Sequence, residues 1–340
     1  MNKEQFTLSK QEVKTLGAPG YLHSYAVILL NKMMFAGVIA LFWQAQSSPL
    51  LLIPAIMLWG LQMNHAYLLV HETCHGSFLR NTRQNVFYGH IAAFFALMPF
   101  YTRREEHTMH HRVAGSFQEG TNWRAMERFL TIEPLQFKVI SACWKLWVPI
   151  FATNEQFMLW KMSLDKGAPS SHRKSAQMQI CAYLFVVFSA ALLTSPLSVL
   201  IFLITIFMPT FYLYMLLVEY FNAPHHLDSP IDDIEGNVPF YEQMKYTKSC
   251  SPLPYPFNHF YALNFNYHQA HHLYPSLHWT QLDKAHGIMC KFAPAIGEIE
   301  PEYKTNIRMH RKPLKEAFWK YYEFLPTFSE RRQKLSAKAK

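Results

Sequence analysis

Charge is scarce in this sequence. Asp, Glu, Lys and Arg make up 16 % of its 340 residues, against roughly 25 % in soluble domains. That deficit argues against a fully water-solvated surface and fits partial solvation by lipid. Cysteine is sparse too: Cys74, Cys143, Cys181, Cys250 and Cys290 stand apart without C-x2-C spacing. Neither a disulfide framework nor a thiolate zinc site is indicated. No G-x-G-x-x-G, no H-P-G-G segment and no cysteine cluster occurs, so no fused nucleotide, haem or iron–sulfur module is expected. The opening Met1-Asn-Lys-Glu-Gln-Phe is polar and mixed in charge; no signal peptide is expected.

What the sequence has in quantity is apolar residues, 50 % of the total, with 16 % aromatic. A spanning helix needs roughly 20 mostly apolar residues, and four runs qualify: about 24–45, 49–70, 176–194 and 197–219. Asn31 and Lys32 interrupt the first, so Lys32 snorkels or the helix starts late. The links Gln44 to Ser48 and Ser195-Pro196 are very short, which makes two helical hairpins. Two weaker runs, Val86–Phe100 and 139–153 (broken by Lys145 and Pro149), read as re-entrant or interfacial segments. If Val86–Phe100 crossed, the histidines on its two sides would be separated by the bilayer.

Lysine and arginine orient the hairpins. Three precede residue 24, thirteen lie between 71 and 175, and fifteen follow 220, while the hairpin links carry none. By the positive-inside bias, both termini and the segments 71–175 and 220–340 belong on the cytoplasmic side. The net charge of +9 is explained by this bias rather than by nucleic acid. A basic, membrane-proximal face also suits anionic lipid or an acidic redox partner.

Eight of the 18 histidines fall in three boxes, each beside an apolar run: His71-Glu-Thr-Cys-His75, His107-Thr-Met-His110-His111 and His268-Gln-Ala-His271-His272. Residues at i and i+4 share a helix face, so His71/His75, His107/His111 and His268/His272 can each address one ion. His110 and His271 sit about 100° around the helix from the histidine that follows each. Adjacent histidines therefore diverge, which suits two ions side by side. Neutral imidazole is a common metal ligand, and with no clustered thiolate the choice falls on iron, zinc, copper or nickel. An all-imidazole set with few carboxylates favours iron that binds and reduces O2. Glu72, Glu105, Glu106 and Asp228 are candidates to orient imidazole N–H groups, with solvated charge the plainer reading for Glu105 and Glu106. His65 and His90 lie in apolar runs and read as packing residues; His23, His172, His259, His278, His286 and His310 read as surface or supporting residues.

One competing pattern is literal: His71-Glu72-x-x-His75 matches the H-E-x-x-H of zinc proteases, with Glu as general base. It leaves the other two boxes without a task.

The boxes HETCHGSF (71–78), HTMHHR (107–112) and NYHQAHHLYP (266–275) resemble those of the membrane fatty-acid desaturase superfamily, which includes acyl-lipid desaturases and related carotenoid ketolases and hydroxylases. The resemblance covers roughly 60–280 and is specific for the superfamily, far less so for the substrate. It implies an all-α integral-membrane fold over the whole chain: four transmembrane helices as two hairpins, with a cytoplasmic helical cap carrying the histidines. It implies two non-haem iron ions, and a ninth histidine just after the fourth span, preceded four residues earlier by an asparagine acting through water. Asn222-Ala-Pro-His225-His226 supplies His226 and Asn222. Pro224 disfavours helix at Ala223, which leaves His225 as an alternative ligand and an N-cap as an alternative role for Asn222.

The chemistry implied is oxidation of an unactivated C–H using O2 and two external electrons, from a ferredoxin or cytochrome b5 type donor. A second hydrogen abstraction gives a double bond; oxygen rebound gives an alcohol and, on repetition, a ketone. Desaturation of a long acyl chain is the first expectation, with Phe94, Phe95, Phe100, Trp123, Trp144 and Trp147 as candidate tunnel walls and ordinary packing as the plainer reading of each. A hydroxylase or ketolase of a carotenoid or other hydrophobic molecule comes second, and a zinc-dependent membrane hydrolase third. The expected location is a bacterial inner membrane or the endoplasmic reticulum. The basic stretch Arg308–Lys340 is expected to form a cytosolic helix and ending.

Overall fold

The computed structural model describes residues 1–116, 134–226, 236–294 and 298–317; Trp123, Asp228 and the tail beyond residue 317 lie outside them. The chain is mostly helical. Its main helices are α1 (Lys3–Lys14), α2 (Tyr21–Ala45), α3 (Leu52–Cys74), α4 (Thr82–Phe95), α5 (Phe100–Val113), α6 (Pro134–Lys145), α7 (Ile150–Leu164) and α8 (Ser170–Leu193). They continue with α9 (Pro196–His226), α10 (His268–Leu273), α11 (Leu282–Phe292) and α12 (Glu302–Arg311). The all-α expectation needs one correction. A two-stranded parallel sheet pairs β1 (Ser249–Ser251) with β2 (Ile299–Pro301), Ser249 opposite Ile299, and so ties the stretch after α9 to the start of α12.

Among the described residues, α2, α8 and α9 are long and apolar enough to cross a membrane. Helix α3 has the length but not the composition, because Gln62, Asn64 and His65 interrupt its apolar stretch. Those residues are buried and partnered, as polar groups in an apolar setting must be. Asn31 and Gln62 exchange bonds: Asn31 Nδ2 donates to the Gln62 carbonyl and Gln62 Nε2 to Asn31 Oδ1, both at 3.1 Å. Asn31 Nδ2 also lies 3.1 Å from His65 Nδ1, and His65 stacks on Tyr261. The packing role read for His65 holds. Helix α2 starts at Tyr21, so Lys32 lies inside it with an exposed side chain, and the late-start alternative is overturned.

Each helix end near the boxes has a local cause. Gly76, at φ +72, adopts the left-handed conformation that ends helices, leaving His75 as the C-cap of α3. Asn81 caps α4 by accepting from Gln84 N at 2.9 Å. The run expected to be one segment over Val86–Phe100 is split: α4 stops at Phe95, Leu97 turns at φ 55, and α5 starts at Phe100. The run 139–153 is likewise divided between α6 and α7, with Trp147 at φ 58 in the turn. On α5 the buried positions include Phe100, Arg103, His107 and His111, a three-to-four spacing that turns one helical stripe inward.

Helix α9 runs unbroken through Pro224 to His226, correcting the break expected at Ala223. A proline removes the N–H that would bond the carbonyl four residues earlier, here that of Tyr220. Asn306 Nδ2, from α12, donates to that carbonyl at 3.1 Å instead. Truncating this arm removes that hydrogen bond, at a cost of about 0.5–1.5 kcal/mol. Asn306→Ala is therefore expected to lower the denaturation midpoint in detergent. Pairing it with Pro224→Ala, which restores the helical N–H, is expected to recover part of the loss; equal midpoints for the wild type and Asn306→Ala would refute this account.

Candidate metal centre

The histidine boxes converge. His71 and His75 at the end of α3, His107 on α5 and His271 on α10 offer ring nitrogens that all lie within 4.8 Å of one another. His110, His226, His268 and His272 form a second group of four to the same criterion. The two adjacent pairs divide differently. His271 goes to the first group and His272 to the second, while His110 joins the second and its neighbour His111 belongs to neither. His111 sits between them: its Nε2 is 3.2 Å from His107 Nε2, and its ring centroid is 4.8 Å from that of His271 and 4.3 Å from that of His272. His268 and His272, at i and i+4, share one group; His107 and His111 do not.

Ring nitrogens face one another at close range. Nε2 atoms approach to 2.7 Å between His75 and His107, 2.8 Å between His226 and His268, and 3.2 Å between His110 and His272. Burial holds His71, His107, His111, His268, His271 and His272 well below the ordinary imidazole range, helped by neighbouring rings. His75 is lowered to about 3, again chiefly by burial. Those seven rings are therefore held as neutral bases, and the His271 Nε2 atom is buried with no hydrogen-bond partner. Converging lone pairs of this kind are what a soft-to-borderline cation requires.

Supporting groups fix which nitrogen faces inward. His71 Nδ1 lies 2.9 Å from Glu72 Oε1, and burial raises the Glu72 carboxyl to about 8. A cation at Nε2 favours the form in which Nδ1–H donates to ionised Glu72, the usual pairing of a metal-bound histidine. Glu72 thus sits behind its own histidine rather than facing the cluster as a zinc-protease base would. Gln243 was not foreseen. Its Nε2 donates to the carbonyls of His111 at 2.6 Å and Val238 at 2.9 Å, so its Oε1, 3.0 Å from His272 Nδ1, must accept. His272 Nδ1 then carries the proton and Nε2 keeps its lone pair.

The remaining candidates resolve individually. His225 Nδ1 faces the Lys248 carbonyl at 2.8 Å, and the second group holds His226 instead. Asn222 lies inside α9, so the N-cap alternative is corrected; its Oδ1 accepts from the Tyr67 hydroxyl at 3.1 Å and its Nδ2 donates to the Val218 carbonyl at 2.6 Å. Glu105 is exposed and pairs with His172 at 3.5 Å, while Glu106 is half-buried. His278, His286 and His310 are buried rather than at the surface. His278 Nε2 meets Ser24 Oγ at 3.0 Å, and His310 is sandwiched between Trp144 and Trp147 at 3.9 and 4.0 Å. Trp144 and Trp147 therefore serve that stack. Phe94 packs on Phe95 and Tyr183, and Phe95 on Phe35. Phe100 is fully buried against His90, whose packing reading stands.

Residues 46–300 match the fatty acid desaturase family, and the chain belongs to that family. It is 26 % identical over 138 residues to an omega-3 fatty acid desaturase, chloroplastic, of Brassica napus, a match covering 40 % of this chain and 30 % of that protein. It is 28 % identical over 127 residues to an sn-2 acyl-lipid omega-3 desaturase (ferredoxin), chloroplastic, of Helianthus annuus, covering 37 % and 25 %. A third relative, the omega-3 fatty acid desaturase, endoplasmic reticulum, of Vigna radiata var. radiata, is 31 % identical over 83 residues, covering 24 % and 18 %. The chain thus spans less than a third of the length of these curated relatives.

Loss of a partner behind a metal ligand typically weakens metal affinity by roughly 10–100-fold. Gln243→Leu, which keeps the bulk but not the acceptor for His272 Nδ1, is expected to do the same. Competition with a chelator, followed by metal analysis, reads the effect. Retention equal to the wild type would mean that His272 needs no orienting.

Proposed function

We propose that this chain is a membrane-bound diiron desaturase that removes two hydrogens from an unactivated position of a fatty acyl chain, consuming O2. The observation that carries the reading is the pair of four-histidine groups, most of whose rings are buried. In this reading His71, His75, His107 and His271 hold one iron, and His110, His226, His268 and His272 hold the other. His111 lies between them, and Asn222 acts through water. The donor set fits: converging imidazoles without thiolate, with His271 Nε2 buried and lacking a partner. Bound iron, given two electrons and O2, supplies the oxidising power for C–H cleavage.

The chain's own residues supply the rest. Glu72 and Gln243 orient ligands, and burial of the groups excludes bulk water. Placement of the substrate carbon, rather than the ligand set, then selects desaturation over oxygen insertion.

We place the protein in the membrane as a multi-pass single domain over 1–340. Helices α2 and α3 form one hairpin and α8 and α9 the other; α3 serves as a fourth span whose polar residues are paired internally. The cap and both termini face the cytoplasm, following the Lys and Arg bias, in a bacterial inner membrane or the endoplasmic reticulum. Electrons come from an external ferredoxin or cytochrome b5 type donor; one relative carries ferredoxin in its name.

Expression in a host with a competent donor, followed by mass spectrometry of its fatty acids, tests the reading. The expected product is an acyl chain lacking two hydrogens, with about two irons per purified chain. His110→Ala and His271→Ala are each expected to abolish turnover. A hydroxylated or ketonic product would make the chain an oxygen-inserting relative, and a single zinc with no O2 uptake would overturn the assignment.

A further inference from the structure

Three polar residues beneath the histidines, Tyr67 and Arg103 buried and Asn222 half-buried, share a register. Tyr67, Arg103 and Asn222 each precede a clustered histidine by four residues: His71 on α3, His107 on α5 and His226 on α9. At i and i+4 they lie on the same helix faces as those histidines, about 6 Å further along each axis. They are joined to one another. Arg103 Nη2 donates to the Tyr67 hydroxyl at 2.8 Å, and that hydroxyl donates to Asn222 Oδ1 at 3.1 Å. The Arg103 guanidinium also lies over the Tyr67 ring, 5.2 Å from its centroid, and pairs through Nη1 with Glu155 on α7. Arg103 is 7 % exposed and Tyr67 3 %. A buried cation is costly unless well paired, so four helices are pinned through this layer.

The direction of these bonds follows from chemistry. Arginine only donates, so Tyr67 accepts from Arg103 and has one proton left to give. Its partner on Asn222 must then be the carbonyl oxygen. The opposite end, Nδ2, donates to the Val218 carbonyl at 2.6 Å, which only accepts. The amide therefore has a single orientation, and its second N–H remains to donate.

We propose that Tyr67 and Arg103 are positioning residues that lock the Asn222 carboxamide against flipping, so that it presents N–H rather than C=O beside the His226 group. The inference rests on the diiron reading above. In it, the N–H donor holds a water or hydroxide oxygen at the second iron and leaves the first iron alone. Neither Tyr67 nor Arg103 touches a reacting atom.

The test is Mössbauer spectroscopy of purified protein loaded with enriched ferrous iron, with turnover measured alongside. Tyr67→Phe is expected to retain the wild-type iron content, to shift the signal of one iron only, and to lower kcat by about tenfold with KM unchanged. Asn222→Ala should shift the same signal, and the double variant should go no further than Asn222→Ala alone. Arg103→Met should repeat the Tyr67→Phe shift, while Arg103→Lys, which keeps a cationic donor for Tyr67, should return the wild-type spectrum. That last pair carries the test if Tyr67→Phe does not accumulate as folded protein. An unshifted spectrum in Tyr67→Phe or Arg103→Met, or additive shifts in the double variant, would overturn the lock. A wild-type protein without a two-iron signal would instead overturn the diiron reading on which the lock rests.

Discussion

Imidazole nitrogens held 2.7 to 3.2 Å from one another in partly buried pairs set the constraint on which the rest of the structure depends. Two unprotonated ring nitrogens at that range repel unless a proton or a cation lies between them. Burial and neighbouring rings disfavour a second proton on His107 and His272, so what joins such nitrogens is the single N–H of a neutral imidazole or a cation. A chain that holds eight rings in two groups offers a seat for a metal ion in each. Helices α3, α5, α9 and α10 bring residues as distant in sequence as His71 and His272 to that one place.

The apparatus around this point keeps rings from turning away. Gly76 ends α3 so that His75 caps it. Asn306 replaces the bond lost at Pro224, so that α9 reaches His226 without breaking. Gln243 ties the backbone of α5 to the ring of His272 on α10. Polar groups within the apolar hairpin, Asn31 and Gln62, satisfy each other and hold α2 on α3. Each device exchanges an exposed or unmet polar group for an internal one, which an apolar surround demands.

Much of this was legible in the sequence. Histidines at i and i+4 beside long apolar runs are a local pattern, and local patterns survive folding. The division of His271 from His272 between two groups also follows from the turn angle of a helix. What could not be read depends on a third element. His111 lies between the groups because α10 places both His271 and His272 beside it. Pro224 reads as a break unless one knows that α12 supplies a donor. Gln243 lies on a single helical turn with no motif of its own. The layer of Tyr67, Arg103 and Asn222 did leave a trace, the repeated spacing of four before a histidine, but only contacts between helices give that spacing meaning.

The central claim is that two irons occupy two distinct imidazole groups. Anomalous X-ray diffraction at the iron edge, on crystals of protein purified with its metal, addresses this directly. The account predicts two separate peaks, one among His71, His75, His107 and His271 and the other among His110, His226, His268 and His272. A single peak, or peaks lying outside both groups, would contradict it.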